Sequence, residues 1–412
     1  MPEGGFIRDC DCLSEHRRAT LVSTADNTMN VPLLELNTQN QALEPELKEA
    51  FERVLRSGRF ILGPELESFE NAVAELSGVR HGVGVTSGTD AILLALMALG
   101  IGPGDEVLCP SFTFFATAGC IARAGAVPVF VDSEPETFNI DVEDAERRIT
   151  ERTKAIIPVH LFGQAADMDA IAELAKRHKL AVIEDAAQAL GAGHRGRPVG
   201  GIGTCGTFSF FPSKNLGGFG DAGMLVTDDE TLAHKARILR MHGAEPKYYH
   251  KYIGGNFRMD PLQAALLQVK LPHCETYNKN RRANAAAYAE ALDALPGVGV
   301  AGESDGEPPR LLRPSERPDR YHIWNQYTLR VTGEGRRDAL KRFLNERDIG
   351  AEIYYPVPLH RQECFQPFEP ADFLPVCETL AAEVISIPVY PELGEARRNT
   401  VIEAVTAFLS EE

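Results

Sequence analysis

From about Leu43 the chain alternates short apolar runs with stretches of helical periodicity, and no other feature narrows the fold as much. Glu106–Cys109, Val127–Val131, Ala155–Val159 and Leu180–Ile183 are apolar runs of strand length. Before the last of them, Met168, Ile171, Ala172 and Ala175 recur at helical spacing within Met168–His178. Strand, helix and strand joined by short connections require parallel pairing with a right-handed crossover. Gly206–Phe211, closed by Pro212, and Met224–Thr227 add two more strands. The implied class is α/β with a mostly parallel central sheet.

Beyond the sheet, Asp260-Pro261 starts a helix predicted to reach Leu271, with Asp as N-cap and Pro at the first helical position. Another helix is predicted over Tyr277–Leu295. Gly299–Arg320, rich in Pro, Gly and charge, reads as a linker or loop. A smaller C-terminal α+β unit follows: strand Ile323–Val331, helix Arg336–Arg347, strand Ala351–Tyr355, and helices after Pro375 and Glu395. The expected division is a large domain over 29–280 and a small one over 281–412. Residues 1–28 mix charge with small polar residues and lack any apolar periodicity or signal-type apolar run, so they read as a disordered extension.

Composition removes several function classes. Lys and Arg number 42 against 59 Asp and Glu, a net charge of −17, which disfavours non-specific binding of nucleic acid or anionic membranes. The longest apolar stretches are Ala91–Ile101, which is too short to span a bilayer, and Ser111–Val131, which carries Arg123 in its middle. The eight cysteines form no CxxC pair and none stands with histidines at ligand spacing, so no metal site is expected. Scattered thiols without a secretory signal read as reduced and cytoplasmic.

The glycine motifs mislead. Gly201–Gly206 and Gly218–Gly223 both match GxGxxG, but each runs into strand-like sequence, whereas a dinucleotide site needs a helix start there. A better anion cradle is Thr86-Ser87-Gly88-Thr89-Asp90, directly before the helical AILLALMAL, although simple N-capping explains the same residues. Asp185 stands at the carboxyl end of an apolar strand, where open parallel sheets bind ligands; a helix cap is the competing explanation. Lys214 follows the aromatic strand Phe208–Phe211 in a glycine loop, and a lysine in an enclosed site can lose its proton and form a Schiff base. An anion cradle, an acid and such a lysine are what pyridoxal phosphate requires for its phosphate, ring nitrogen and aldehyde.

At these residues the chain resembles the DegT/DnrJ family of nucleotide-sugar aminotransferases, which have the aspartate-aminotransferase fold (pyridoxal-phosphate transferase fold type I). The resemblance runs from Met29 to the end. It rests on FILGPELESFE (60–70), TSGTDAI (86–92), PSFTFFAT (110–117), EDAAQALGA (184–192), SFFPSKNLG (209–217) and GGNFRMDPLQAAL (254–266). It implies that Lys214 is the catalytic lysine and that Asp185 meets the pyridine nitrogen. It places Gln188 beside the ring hydroxyl and Phe114 on the ring face, with Gly88, Thr89 and Ser209 at the phosphate. Asn256 would reach the phosphate from a partner subunit, which makes the expected unit a homodimer with shared sites. Aspartate-type transaminases have an arginine after the lysine, and none lies between Lys214 and Arg237; related dehydratases have histidine in place of the lysine.

The expected activity is therefore amino transfer from an amino acid, with glutamate favoured, to a keto nucleotide sugar, in a setting of polysaccharide biosynthesis. Six cations between Lys235 and Arg258 (235, 237, 240, 247, 251, 258) against the single acid Glu245 fit a diphosphate substrate; a solvated helix face would account for the first three. GDAG (220–223) and YYPVPLHRQ (354–362) resemble members acting at C3 rather than C4. Tyr355 and His360, with Arg258 reaching over from the partner subunit, are the candidate substrate residues, a core aromatic and a loop-capping hydrogen bond being the competing explanations for the first two. Competing readings are a C4-specific aminotransferase, a cysteine desulfurase using Cys364, and a regulator that keeps only the fold.

Overall fold

The computed structural model describes residues 29–302, 309–368 and 373–411. The predicted extension over 1–28 lies outside them. The large sheet has seven strands: β1 (His81–Val85), β2 (Glu106–Pro110), β3 (Val127–Val131), β4 (Thr153–Ile156), β5 (Ala181–Asp185), β6 (Cys205–Ser209) and β7 (Gly223–Thr227). Their order is β1-β7-β6-β5-β4-β2-β3. Neighbours from β6 through β3 pair in parallel. β7 runs antiparallel to both β6 and β1, so the other six strands end on one edge of the sheet.

Both faces of the sheet are covered, as a parallel sheet requires. On β7, Leu225 packs into one apolar cluster while Met224 and Val226 pack into another on the opposite face. The helix Gly88–Leu99 buries eight of its twelve residues, because its sequence is apolar nearly all round. Within this sheet, β1 is the strand absent from the sequence reading. Its run HGVGV looks weak because of two glycines, yet close packing demands the first and leaves little room at the second. A Cβ at Gly82 would sit 2.4 Å from the Glu70 carbonyl oxygen, and one at Gly84 would sit 2.7 Å from Leu66.

A second sheet holds the smaller unit: β8 (Val298–Val300), β9 (Leu311–Arg313), β10 (Tyr327–Val331) and β11 (Val384–Ile387), adjacent in that order. The helices Cys274–Asp293, Arg336–Asn345 and Gly394–Glu411 share its core with Tyr288, Tyr327, Leu340, Ile385 and Phe408. Three expectations change here. The predicted linker contributes β9, whose leucines are buried. Ala351–Tyr355 is not a strand: only Glu352 bridges Ser386, and Tyr355 turns the chain away with φ of 59°. Asp260 occupies the N-cap of Pro261–Lys270, but its side chain makes no capping bond. Val31 packs into the small core, and the helix Cys274–Asp293 crosses residues 280 and 281 unbroken. Among the described residues no helix is long and apolar enough to cross a membrane.

Arg240, counted from sequence among a cationic patch, is buried and paired with Glu70. Glu70 also accepts from the Gly84 amide at 2.7 Å, and Arg240 donates to the Gly84 carbonyl at 2.8 Å. The pair therefore fixes β1, and with it the turn that β1 feeds. Glu70→Ala is expected to destabilise the fold by about 3–5 kcal/mol, since it leaves a buried guanidinium without its counter-charge. Glu70→Leu combined with Arg240→Met should lose much less; urea unfolding of the three proteins checks the ranking.

Candidate active site

Two adjacent acids end β5 and point to opposite faces of the sheet, as strand alternation dictates. Glu184 is fully buried and accepts from the amides of Gly200, Ile202 and Gly203 and from His160 Nε2 at 2.6–2.9 Å. It anchors the loop before β6. Asp185, also buried, accepts from Thr117 Oγ1 at 2.8 Å and from the Ala187 amide at 3.2 Å. Burial pushes its carboxyl above the usual range, opposed by those two donors and by the charges of Lys214 and His160. No cation among the described residues lies within ion-pairing distance of it.

Lys214 lies in the loop after β6, its amide bonded to the Phe211 carbonyl at 2.8 Å. Its ammonium has no hydrogen-bond or ion-pair partner among the described residues. Burial of the amine lowers it to about 8, outweighing the pull of Asp185 in the other direction. The loop is held rigidly. Asn215 donates to Asn278 at 2.6 Å and accepts from Asn325 at 2.7 Å, and the buried Lys270 donates to the Gly217 carbonyl at 2.7 Å. Gly217 is required because a Cβ there would meet the Pro212 carbonyl oxygen at 2.2 Å.

The cradle forms where β1 enters the helix Gly88–Leu99. Ser87 is the N-cap, its hydroxyl accepting from the Asp90 amide at 3.1 Å, and Thr86 donates to the Asp90 carboxylate. A Cβ on Gly88 would lie 2.7 Å from Ser209 Cβ, so the helix start and the end of β6 touch only because residue 88 is glycine. Thr89 is partly exposed beside it. The two GxGxxG runs have packing explanations: a Cβ on Gly201 would meet the Ser77 carbonyl at 2.2 Å, and one on Gly223 the Ser87 carbonyl group at 2.3 Å.

Gln188 has both ends of its amide engaged. Its oxygen accepts from the Phe162 amide at 2.6 Å, and its nitrogen donates to Tyr355 Oη at 2.9 Å. The Tyr355 ring stacks on Phe162 at 6.2 Å, which brings it to the end of β5. Phe114 is 60% exposed, unusual for a phenylalanine and suited to covering a ligand face. Asn256 is exposed, and Arg258 bridges Val85 at the mouth of the cradle. The Arg258 guanidinium contacts Met241 Sδ at 3.8 Å and forms no ion pair among the described residues. His360 departs from the expectation of a substrate wall: it is buried, with Nδ1 2.7 Å from Ser111 Oγ and Nε2 3.1 Å from Glu378. Those partners use both ring nitrogens to fasten the 354–362 segment. Cys364 is exposed in the short turn Glu363–Phe368.

Sequence reasoning missed Thr117, Glu184 and Lys270. Glu184 was legible in strand alternation, because neighbours of a β5 residue must face opposite sides. Thr117 lies within a quoted motif but carries no signal that separates it from an ordinary helix threonine. Among the described residues no cluster of three or more His, Cys, Asp or Glu could hold a metal ion.

The groups present fit pyridoxal phosphate. A buried carboxylate without a cation suits a protonated ring nitrogen, an unpartnered amine of lowered basicity suits the aldehyde, and a glycine-floored helix start suits the phosphate.

Comparison with known proteins agrees. Residues 41–406 match the model of the DegT/DnrJ/EryC1/StrS aminotransferase family. A protein of Geobacillus stearothermophilus named pleiotropic regulatory protein is 49% identical, over 92% of this chain and 99% of that one. The UDP-N-acetyl-3-dehydro-alpha-D-glucosamine 3-aminotransferase of Acidithiobacillus ferrooxidans is 45% identical, over 90% of this chain and 97% of that one. The crystal structure of S. venezuelae DesV in complex with a ketimine intermediate superposes with a TM-score of 0.86 at 43% identity, covering 92% and 98% of the two chains.

The environment of Lys214 predicts how the apoprotein captures pyridoxal phosphate. Only the neutral amine attacks an aldehyde, and an amine of pKa about 8 is about one-tenth neutral at pH 7, far more than an ordinary lysine. Capture, measured as borohydride-fixed cofactor against pH, should rise with a midpoint near 8. A midpoint above about 10, the value of an exposed lysine, would contradict the burial described.

Proposed function

The chain belongs to the DegT/DnrJ/EryC1/StrS aminotransferase family, and on that premise we propose that it moves an amino group from L-glutamate to C3 of a 3-keto nucleotide sugar. It uses pyridoxal phosphate, as the family does. The observation that carries the reading is the pair of Lys214 and Asp185, an unpartnered amine and an uncompensated buried carboxylate at adjoining strand ends. Bound there, the cofactor supplies an aldehyde carbon that carries nitrogen between two substrates and a ring that withdraws electrons.

The chain's own residues divide the remaining work. Asp185 holds a proton at the ring nitrogen, and Lys214 Nζ, neutral in a useful fraction at physiological pH, takes and returns a proton at the reacting carbon. Gly88, Thr89 and Ser209 receive the phosphate, Phe114 covers the ring, and Gln188 holds Tyr355 toward the sugar. Arg258, free of ion pairs among the described residues, suits a diphosphate oxygen or a sugar carboxylate. The C3 assignment rests on the 220–223 and 354–362 motifs and on the name of the Acidithiobacillus relative. A homodimer is supported by the exposed Asn256 and by Ile253, Tyr248 and Tyr249 beside it, which are 93%, 79% and 71% exposed in the single chain. A cytoplasmic place in polysaccharide biosynthesis belongs to the same proposal.

A regulatory role is favoured by one observation, the name of the Geobacillus relative. The intact Lys214 and Asp185 favour the enzyme, because a protein kept only for its fold has no use for a desolvated lysine whose amine, unlike that of Lys270, meets no partner among the described residues.

Parallel assays with 3-keto and 4-keto nucleotide sugars, the product carbon identified by NMR, test the activity and its position. The expected result is faster amination of the 3-keto sugar by the wild type and loss of nearly all turnover in Lys214→Ala. Preference for the 4-keto sugar overturns the C3 assignment alone. Undiminished turnover in Lys214→Ala overturns the assignment of Lys214 as the catalytic lysine, and amination of neither sugar by the wild type overturns the enzyme assignment.

Shared sites predict complementation. Lys214→Ala and Asn256→Ala chains, each weak alone, should regain activity on mixing, because a hybrid dimer contains one intact site. Subunit exchange without recovered activity contradicts the shared site.

A further inference from the structure

Asp185 ends β5 with few partners, and one of them lies on a different element. Thr117 is the second residue of the helix Ala116–Arg123, fully buried, with Oγ1 2.8 Å from Asp185 Oδ2. Its Oγ1 is also 3.3 Å from Thr113 Oγ1. With Asp185 ionised, the single Thr117 proton must go to the carboxylate, so Thr113 is the donor in the second contact. The result is a short directed chain, Thr113 to Thr117 to Asp185. The Thr117 amide contacts the Phe114 carbonyl at 3.3 Å, so one helical turn carries both this hydroxyl and the exposed phenylalanine.

Building on the proposed function, we propose that Thr117 is a positioning residue that keeps Asp185 ionised and aimed at the cofactor's ring nitrogen. Oδ2 is held by Thr117 and Oδ1 by the Ala187 amide, which fixes the carboxylate plane and leaves the remaining lone pairs to the site. A donor to the charged form opposes the burial that favours the neutral acid. The other ionisable groups around Asp185 do not replace it. Lys214 faces it from the loop after β6 and His160 from the loop after β4, but His160 gives its Nε2 proton to Glu184. Tyr355, from the 354–362 segment, and Cys120, from the helix of Thr117, both stay protonated, because burial near Asp185 raises them. Thr117 is thus the side-chain donor on which the charge of Asp185 depends.

The test is binding of pyridoxal phosphate to the apoprotein across pH, followed by cofactor absorbance, in wild type, Thr117→Val and Thr117→Ser. Valine keeps the shape and removes the donor; serine keeps the donor and removes a methyl. Thr117→Val should bind at least about tenfold more weakly at pH 7, the usual effect of losing a hydrogen bond to a charged group. Its loss of binding on acidification should also begin about one pH unit higher, because without the hydroxyl Asp185 takes a proton more readily. Thr117→Ser should stay within about threefold of wild type. In an Asp185→Asn background the valine substitution should add little, since the two residues act through one bond. A valine variant with the wild-type constant and pH profile overturns the proposal, as does a serine variant as weak as valine, or a valine effect that persists undiminished in the Asp185→Asn background. If Thr117→Val does not fold, Thr117→Ala against Thr117→Ser decides it in the same way. Failure of the wild type itself to bind the cofactor would instead overturn the proposed function.

Discussion

Placing the Asp185 carboxylate in the interior costs free energy that one hydroxyl and one amide only partly recover. A cation at ion-pairing distance would complete the site, and no described side chain lies that close to the carboxylate. The rest of the architecture follows from that demand. The acid must sit where a ligand can reach it yet water is scarce, and the carboxyl edge of a sheet covered on both faces is such a place. Six strands end on that edge, and three of them deliver the parts: β1 the cradle, β5 the acid, β6 the serine and then the lysine loop.

The same low-polarity surroundings act oppositely on the two central groups. Burial raises the acid and lowers the lysine, while each group's charge pulls the other toward ionisation. For Lys214 burial wins, leaving an amine that can be neutral near physiological pH. Rigidity keeps this balance in place. Asn215 is tied to two other asparagines, Lys270 holds Gly217, and the Glu70–Arg240 pair fixes the strand beneath the cradle. Gln188 extends the same order to the smaller unit by linking Phe162 to Tyr355.

Much of this was legible in the sequence because its physics is local. Strand–helix alternation specified a parallel sheet, and Asp185 and Lys214 stood at the ends of runs that had to be strands. The two GxGxxG runs were legible as decoys because strand-like residues, not a helix start, come directly after each. Features that escaped depended on distant partners. β1 was hidden because its glycines answer to Glu70 and Leu66, which sequence alone does not bring near. Arg240 looked like a surface cation until Glu70 met it in the interior. His360 looked like a substrate residue, although Ser111, 249 positions earlier, takes one of its nitrogens. Tyr355 reaches the site by abandoning the strand predicted for it, through a left-handed backbone that no local pattern announces.

The central claim is that Asp185 is ionised and holds a proton on the cofactor ring. Nitrogen-15 NMR of the protein reconstituted with ring-labelled pyridoxal phosphate measures that directly. A protonated ring nitrogen at neutral pH, lost when Asp185 is replaced by Asn, is the result this structure predicts. An unprotonated nitrogen in the wild type, or one indifferent to that replacement, would contradict it.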